Sequence, residues 1–467
     1  MFHSIHLQNF KSWQDTNRIE LGPITGFFGG NSSGKSTILQ FFLLLKQTIE
    51  SSDRQRVLHL GDDRSYVDLG TIYDLVHRHS IDQPVKFSIQ WQLPKTLEIP
   101  DPKDNKILFR FDRLTFSSAI ILADDIIQAQ KFTYDFINQK AKNEGSTITF
   151  GLERKTDKIQ QHPEYKLISE GYTAKRTKGR VWPLSAPIKC YGFPDEATGY
   201  YQNTSFLSDF VLALEKRFQQ TYYLGPLREY PKRIYTWAGD PPQDVGDRGE
   251  LAIPALLASG KLPTLKQGRK TITIEQKVAQ WLKDLGLIYD FKVKAIAKNR
   301  KDYEVKVKRT PNGSEVLITD VGFGVSQVLP VLVLCYYAPE GSTIILEQPE
   351  IHLHPSVQAG LADVFIDAMK TRNLQLIVES HSEHLLRRLQ RRIAEEKDGV
   401  TPEDIRLYFC DIDNNQGRSQ LTPLQLDLFG NIANWPPDFF GDEMGDIFAM
   451  TEAAMTRQQQ AQGDLQS

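Results

Sequence analysis

Cysteine is scarce in this chain. Cys190, Cys335 and Cys410 are the only three among 467 residues, and they stand too far apart to form a C-x-x-C pair. That excludes a disulfide framework or a zinc ribbon and suits a reducing compartment; Cys335 lies in an apolar run, where burial is its expected role. An excess of one charge is also missing, since 56 Lys and Arg against 58 Asp and Glu give a net charge of −2. No overall basic field therefore draws the chain to nucleic acid, and only local patches remain for that purpose. Long apolar runs are absent: the longest, at 328–337, falls well short of the roughly 18 residues of a membrane span. Met1-Phe2-His3-Ser4 opens neither a basic stretch nor an apolar core, so no export signal and a cytoplasmic location are expected. No sustained heptad pattern occurs, which argues against long coiled-coil arms.

What is present begins with Gly29-Gly30-Asn31-Ser32-Ser33-Gly34-Lys35-Ser36, followed by Thr37. The octet fits G-x-x-x-x-G-K-[ST]. Ahead of it Ile24-Thr25-Gly26-Phe27-Phe28 reads as a buried strand, and behind it the apolar Ile38-Leu39-Gln40-Phe41-Phe42-Leu43-Leu44-Leu45 reads as a buried helix. Strand, glycine loop and helix turn backbone N–H groups inward around phosphate oxygens. The helix N-terminus adds partial positive charge, Lys35 reaches the β- and γ-phosphates, and the Ser36 hydroxyl is placed to ligate Mg²⁺. A nucleoside triphosphate site is expected.

Period-2 runs at 85–93, 106–114, 147–152, 165–172 and 188–193 predict a β-rich, mostly antiparallel section, with a helix at 123–142 between the second and third. Further helices are predicted at 205–219 and 274–285, a strand from Thr221 to a Gly225-Pro226 turn, and a hairpin at 291–297 and 303–308. Two basic stretches stand out. Lys155, Lys158, Lys166, Lys175, Arg176 and Lys178 fit either a solvated face or a nucleic-acid contact. On the hairpin, Lys292, Lys294, Lys298, Arg300, Lys301, Lys306, Lys308 and Arg309 would line one face by alternation, a ledge for DNA. Arg228 and Arg233 fit a phosphate or DNA contact as well as a surface ion pair. The segment at 439–455 reads as acidic and amphipathic, and 457–467 is polar and expected to lack structure.

In the last third, Thr343-Ile344-Ile345-Leu346-Glu347-Gln348-Pro349-Glu350 reads as a buried strand ending in acids, and Leu376-Ile377-Val378-Glu379-Ser380-His381-Ser382 as another ending in Ser-His-Ser. A phosphate loop needs a carboxylate at the end of a neighbouring strand to hold Mg²⁺, and Glu347 supplies one. Its separation from Lys35, roughly 310 residues, implies an insertion between two halves of one nucleotide core.

Four motifs then follow in order: the loop; Asp320-Val321-Gly322-Phe323-Gly324-Val325-Ser326-Gln327; Glu347-Gln348-Pro349-Glu350-Ile351-His352-Leu353-His354-Pro355; and Val378-Glu379-Ser380-His381-Ser382. With them the chain resembles the RecF/SMC/OLD-like soluble branch of ATP-binding-cassette ATPases, in the OLD-like group marked by the form Glu-x-Pro-Glu-x-x-Leu-His-Pro. The resemblance implies an α/β fold: an ABC-type ATPase head (a P-loop parallel sheet plus an antiparallel β subdomain) with a β-rich insertion between Walker A and the signature segment. It divides the chain into an N-terminal lobe of the head with Walker A (1–80), the insertion (81–220), a connecting subdomain with the basic hairpin (221–320), a C-terminal lobe (321–440) and an acidic, polar tail (441–467).

The resemblance also implies ATP and Mg²⁺ as cofactors and a homodimer or higher homo-oligomer with ATP sandwiched head to tail. Gly29, Gly30, Asn31, Ser32, Ser33, Gly34, Lys35, Ser36 and Thr37 of one copy would face Gly322, Gly324, Ser326 and Gln327 of another. The signature usually carries serine before its glycines; here Gly322 stands there, leaving backbone N–H groups to make the contact. Ser36 and Glu347 would hold Mg²⁺, and Gln348, Glu350 and His381 would be the catalytic set, with His381 sensing the γ-phosphate. Gln348 stands where the family carries its catalytic glutamate, and an amide cannot accept the proton of the attacking water. Either Glu350 takes over as base, or hydrolysis is slow and the ATP-bound dimer persists; slow turnover is the expectation. His352 and His354, just past the strand, read as interface residues and not metal ligands.

OLD-like ATPases work with an effector in prokaryotic defence against phage or plasmids. The implied function is therefore an ATP-gated dimeric ATPase controlling a nuclease or toxin subunit, with DNA as a further partner and no membrane. A non-hydrolysing ATP-dependent scaffold and a RecF-like DNA-repair ATPase are the alternatives. An intrinsic nuclease is argued against, because only Asp411 and Asp413 offer a D-x-D and about 54 residues follow, too few for a TOPRIM domain of roughly 100 or more. A hairpin through Asn414-Asn415-Gln416-Gly417 accounts for those acids better.

Overall fold

The computed structural model describes residues 1–101, 106–123, 125–140, 145–155, 163–179, 182–267, 270–297, 300–413, 415–437, 439–441 and 443–464. Lys158, Lys298 and Asn414 of the sequence reading lie outside them.

The central sheet contains Ile24–Gly29 (β1), Thr221–Leu224 (β2), Thr343–Glu347 (β3), Gln375–Glu379 (β4), Ile405–Asp413 (β5) and Arg418–Leu424 (β6). Their spatial order is β2-β3-β4-β1-β5-β6, parallel except for the final hairpin of β5 and β6. Five helices matter to the site: Lys35–Glu50 (α1), Leu207–Gln219 (α2), Phe323–Tyr337 (α3), Pro355–Arg372 (α4) and Glu383–Ala394 (α5). Successive strand residues face opposite layers. Phe27, Ile345, Ile377 and Tyr408 join one core with Phe41 and Phe42 of α1 and Phe210 and Phe218 of α2. Ile24, Phe28, Ile344, Leu376 and Leu407 join another with Leu332 of α3, Phe365 of α4 and Leu389 of α5. Cover on both faces is why β1, β3 and β4 are buried along their whole length, and it sets α1 and α3 on opposite sides of the sheet.

The second large sheet is antiparallel and has eight strands. Its path runs through Trp13–Asp15, Phe2–Phe10, Val85–Pro100, Ile107–Ala123, Ile126–Ile137, Thr147–Arg154 and Tyr165–Glu170, with Ile19–Glu20 also on Phe2–Phe10. Val85–Pro100 pairs directly with Phe2–Phe10, so the β-rich segment continues the N-terminal strand and shares its core with α1. Gln375 ties this sheet to the central one. Its Oε1 accepts from the Phe2 N–H at 2.8 Å and from Thr343 Oγ1 at 3.0 Å, and its Nε2 donates to Phe2 O at 2.7 Å.

Three expectations are corrected. The segment predicted as a helix at 123–142 is the strand Ile126–Ile137, hydrogen-bonded on both sides. Phe132, Tyr134 and Phe136 are buried with Thr133 buried among them, and a bulge at Gln130, opposite the step from Ala119 to Ile120, puts the buried Ala129 out of phase with them. The bulge hid the period-2 signal. The strand predicted at 188–193 is a tight turn with a single bridge, Ile188 to Gly192. Lys189, at φ 54°, sends Nζ to the carbonyls of Ile49 (2.7 Å) and Ser51 (2.8 Å), satisfying the C-terminal end of α1. The tail expected to lack structure forms a helix, Glu443–Asp464.

The basic hairpin forms as Asp290–Ala295 and Asp302–Lys308, with Val293 opposite Val305 and Lys292 opposite Lys306. Its outward lysines meet acids: Lys292 with Asp290 (2.7 Å), Lys294 with Glu315 (2.8 Å) and Lys306 with Glu304 (2.9 Å). In the other basic stretch Lys155 pairs with Glu164 (3.1 Å) and Lys166 with Glu153 (2.9 Å). Asp413 serves the β5–β6 turn, accepting from the N–H groups of Asn415 (2.9 Å) and Gln416 (3.1 Å). No helix among the described residues is long and apolar enough to cross a membrane.

Candidate active site

The loop after β1 is built by close approach. Gly29 has φ +134°, and a Cβ there would lie 2.0 Å from the Cys410 carbonyl of β5, so only glycine fits. At the other end Gly34, φ +96°, precedes α1, with its carbonyl accepting from Trp13 Nε1 at 3.1 Å. The Ser33 hydroxyl donates to Gly30 O at 2.9 Å. Lys35 is buried and folds back over the loop, Nζ donating to Gly29 O (3.1 Å) and Gly30 O (2.6 Å). Burial holds its pKa below the ordinary lysine value, against the pull of Glu379, Cys410 and Glu350.

Ser36 donates its hydroxyl to Glu379 Oε1 at 2.8 Å. Glu379 closes β4 and lies beside Glu347 of β3 in the sheet register. It is 2% exposed, and its Oε2 is buried with no hydrogen-bond partner. Burial raises its pKa, opposed by Ser36, Lys35 and the Gln348 side chain. Glu347, expected to share Mg²⁺ with Ser36, is 9% exposed and has Tyr223 and Arg228 close enough to act on its charge. Burial and the neighbouring Glu379 push Glu347 up to about 7, with Tyr223 and Arg228 pulling the other way.

Gln348 has φ +43°, an uncommon conformation outside glycine that clusters at functional sites. Its N–H donates to Glu379 O at 2.9 Å. Two residues on, Glu350 is buried; Oε1 accepts from the His381 N–H at 2.7 Å, while Oε2 has no partner. Burial is the main reason its pKa is raised. Burial and Lys35 hold the His381 pKa below the usual histidine value, with the Gly29 backbone pulling the other way. Loop, strand ends and Ser-His-Ser segment are thus one bonded unit.

Gly322 caps the N-terminus of α3, and Gly324, Ser326 and Gln327 sit in its first turns. The Ser326 hydroxyl donates to Phe323 O at 2.8 Å. Phe323 itself is 54% exposed and meets Tyr230, 69% exposed, edge-on at 5.6 Å between ring centroids. His354 caps α4, its Nδ1 accepting from the Ser356 N–H. Arg233 forms the surface pair that one reading gave it, with Asp320 at 3.0 Å. Arg228 does not: it is 7% exposed and none of its three guanidinium nitrogens has a hydrogen-bond partner.

Among the described residues no three His, Cys, Asp or Glu side chains gather into a metal cage. Mg²⁺ needs none: it rests on one or two protein oxygens plus phosphate and water. Ser36 Oγ and the unpartnered Glu379 Oε2 are such oxygens, with Glu347 beside them, so the donor set fits. Sequence reasoning quoted Glu379 without giving it a role. The cue was an acid ending an apolar strand, the same one that singled out Glu347.

The raised carboxylates have a consequence for stability. Between its ordinary 4.5 and about 7, folded Glu347 keeps a proton that the unfolded chain has released, so stability falls as pH rises through that window. Without nucleotide and in chelator, the chain is expected to be more stable at pH 5.5 than at pH 8, by about 2 kcal/mol for this group, and to show it as a higher Tm. Glu347→Gln should flatten the slope; an unchanged pH profile in that variant would refute the assignment.

A family model described as an AAA ATPase domain matches residues 1–180 and 258–386, more than half of the chain. A second, described as a protein of unknown function (DUF3696), matches residues 400–450. No curated protein matches. Similar solved structures include an SmcHead bound to the C-winged helix domain of ScpA, 11% identical over 91% of this chain and 98% of that one, at TM-score 0.41. An SMC head domain from Thermotoga maritima is 10% identical, covering 91% and 99%, at TM-score 0.37. An Smc head domain with an extended coiled coil, bound to the C-terminal domain of ScpA derived from Pyrococcus furiosus, is 10% identical, covering 91% and 96%, at TM-score 0.38.

Proposed function

The chain belongs to the AAA ATPase domain family and is an ATP-binding ATPase, and from that footing we propose that it works as an ATP-gated homodimer with slow turnover. Gly29 to Thr37 hold the phosphates, Lys35 leaving the carbonyls of Gly29 and Gly30 for phosphate oxygens. Ser36 and Glu379, with Glu347 beside Glu379 in the sheet, would hold Mg²⁺, which would supply charge neutralisation for the phosphate oxygens. Gln348 orients the attacking water without taking its proton, Glu350 is the nearby carboxylate able to do so, and His381 reports the phosphate to Gly29.

The observation that carries this reading is the set of hydrogen bonds from Lys35 to Gly29 and Gly30, from His381 to Glu350 and from Ser36 to Glu379. The dimer is supported by the separation of α1 and α3 on opposite faces, which leaves Gly322, Gly324, Ser326 and Gln327 to serve another copy's nucleotide. The exposed Phe323 and Tyr230 add an apolar surface beside the α3 N-terminus. The OLD-like resemblance extends the reading to control of a nuclease or toxin effector in DNA-linked prokaryotic defence. Gln348 favours one second reading, a scaffold that binds ATP and does not turn it over.

Single-turnover hydrolysis tests the core of it. Wild type should be slow, Lys35→Ala inactive, and Gln348→Glu faster by about 100-fold. Brisk wild-type hydrolysis that neither Gln348→Glu nor Glu350→Ala alters would refute the assigned roles.

A further inference from the structure

Arg228 follows β2 by a Gly225-Pro226-Leu227 turn, at the edge of the sheet where β3 and β4 end in Glu347 and Glu379. Among the described residues Arg154, Arg217 and Arg372 each leave one buried guanidinium nitrogen without a partner; Arg228 leaves all three. Arg217 and Arg372 still anchor backbone, through Gln220 O (3.2 Å) and Ala338 O (2.7 Å). Arg228, 7% exposed, makes no such bond. A desolvated guanidinium with five unused donors is costly unless an anion arrives to meet it.

The nearest anions do not fill that role. Glu347 and Glu350 both act on Arg228 electrostatically, yet neither bonds it. Glu350 keeps its Oε2 equally unused, and it is the one carboxylate whose charge reaches both Arg228 and Lys35. A cation and a carboxylate that merely neutralised each other would close into an ion pair. Left unbonded, each keeps buried polar atoms for a further partner. In the order β2-β3-β4-β1, Lys35 approaches from one side and Arg228 from the other. A guanidinium is suited by its planar fork to phosphate oxygens.

We propose that Arg228 contacts the terminal phosphate of the triphosphate held at residues 29–37, from the same chain, and so makes the site discriminate ATP from ADP. The proposal rests on the nucleotide reading above.

The test measures affinity of the full chain, at fixed Mg²⁺, for fluorescent ADP and for a non-hydrolysable ATP analogue. Arg228→Gln should weaken the analogue about tenfold or more and leave ADP within twofold; Arg228→Lys should fall between. Equal losses for both nucleotides, or an unchanged analogue affinity, would overturn the assignment in favour of a charge-balancing role. Should Arg228→Gln fail to fold, Arg228→Lys decides by the same ratio. Lys35→Ala separates the two layers: if it leaves both nucleotides bound, the nucleotide reading fails, whereas loss of both with an unchanged Arg228 ratio refutes Arg228 alone.

Discussion

Glu379→Ala is expected to lower ATP turnover by about 100-fold and to raise the Mg²⁺ concentration needed by about 10- to 100-fold, while ADP still binds without metal. The Ser36 hydroxyl donates to this carboxylate and not to Glu347, and the second oxygen, Oε2, is buried without a partner. Alanine removes both oxygens and leaves Ser36 unoriented. Glu379→Gln keeps an acceptor for the hydroxyl but no charge, so it should restore nucleotide binding without restoring the metal dependence. Glu347→Ala, made in parallel, should be milder in Mg²⁺ dependence, because Glu347 lies against Tyr223 and Arg228. Metal titrations of turnover for the three variants decide it. A larger metal defect in Glu347→Ala than in Glu379→Ala would return the ion to the carboxylate that the strand pattern first suggested.

Gly29→Ala is expected to unfold or severely destabilise the chain, by about 4 kcal/mol or more, whereas Gly30→Ala stays within about 0.5 kcal/mol. Two independent penalties meet at Gly29. Its φ of +134° is closed to L side chains, and the new methyl would lie 2.0 Å from the backbone oxygen of Cys410, which cannot yield without moving β5. Around Gly30 nothing lies within 4 Å of a Cβ. Thermal unfolding of the pair checks it. Equal Tm values would mean that the loop and β5 do not pack as closely as the geometry requires.

The parts of the fold that could be read in advance are those where one local rule acts alone. The octet at 29–36 was legible because a phosphate loop needs glycine, lysine and serine at fixed offsets. β3 and β4 were legible because two-sided burial writes continuous apolar runs ending in acids. The strand Ile126–Ile137 was not, because a bulge at its own Gln130, between Lys131 opposite Ala119 and Ala129 opposite Ile120, shifts the phase of burial and breaks the alternation that sequence windows detect. The division between Glu347 and Glu379 was equally hidden. Both acids end apolar strands and sit side by side, and only the sheet order, which sets β4 and not β3 next to β1, brings Glu379 to Ser36. Arg228 shows the same limit: its position past a strand fitted a phosphate contact and a surface ion pair equally, and its burial accompanies tertiary bonds that the sequence does not announce, from Gly225 N–H to Asp247 O (2.8 Å) and from Glu229 N–H to Arg248 O (2.9 Å).

The mass of the protein in solution with and without ATP and Mg²⁺ tests the proposed ATP-gated dimer, in which α3 of a second copy would complete the site built on α1. Light scattering on the size-exclusion peak is predicted to move from 53.3 kDa to twice that value on adding ATP and Mg²⁺ to wild type, and to stay at 53.3 kDa for Lys35→Ala. Wild type that is saturated with ATP and still runs as a single chain would contradict the account.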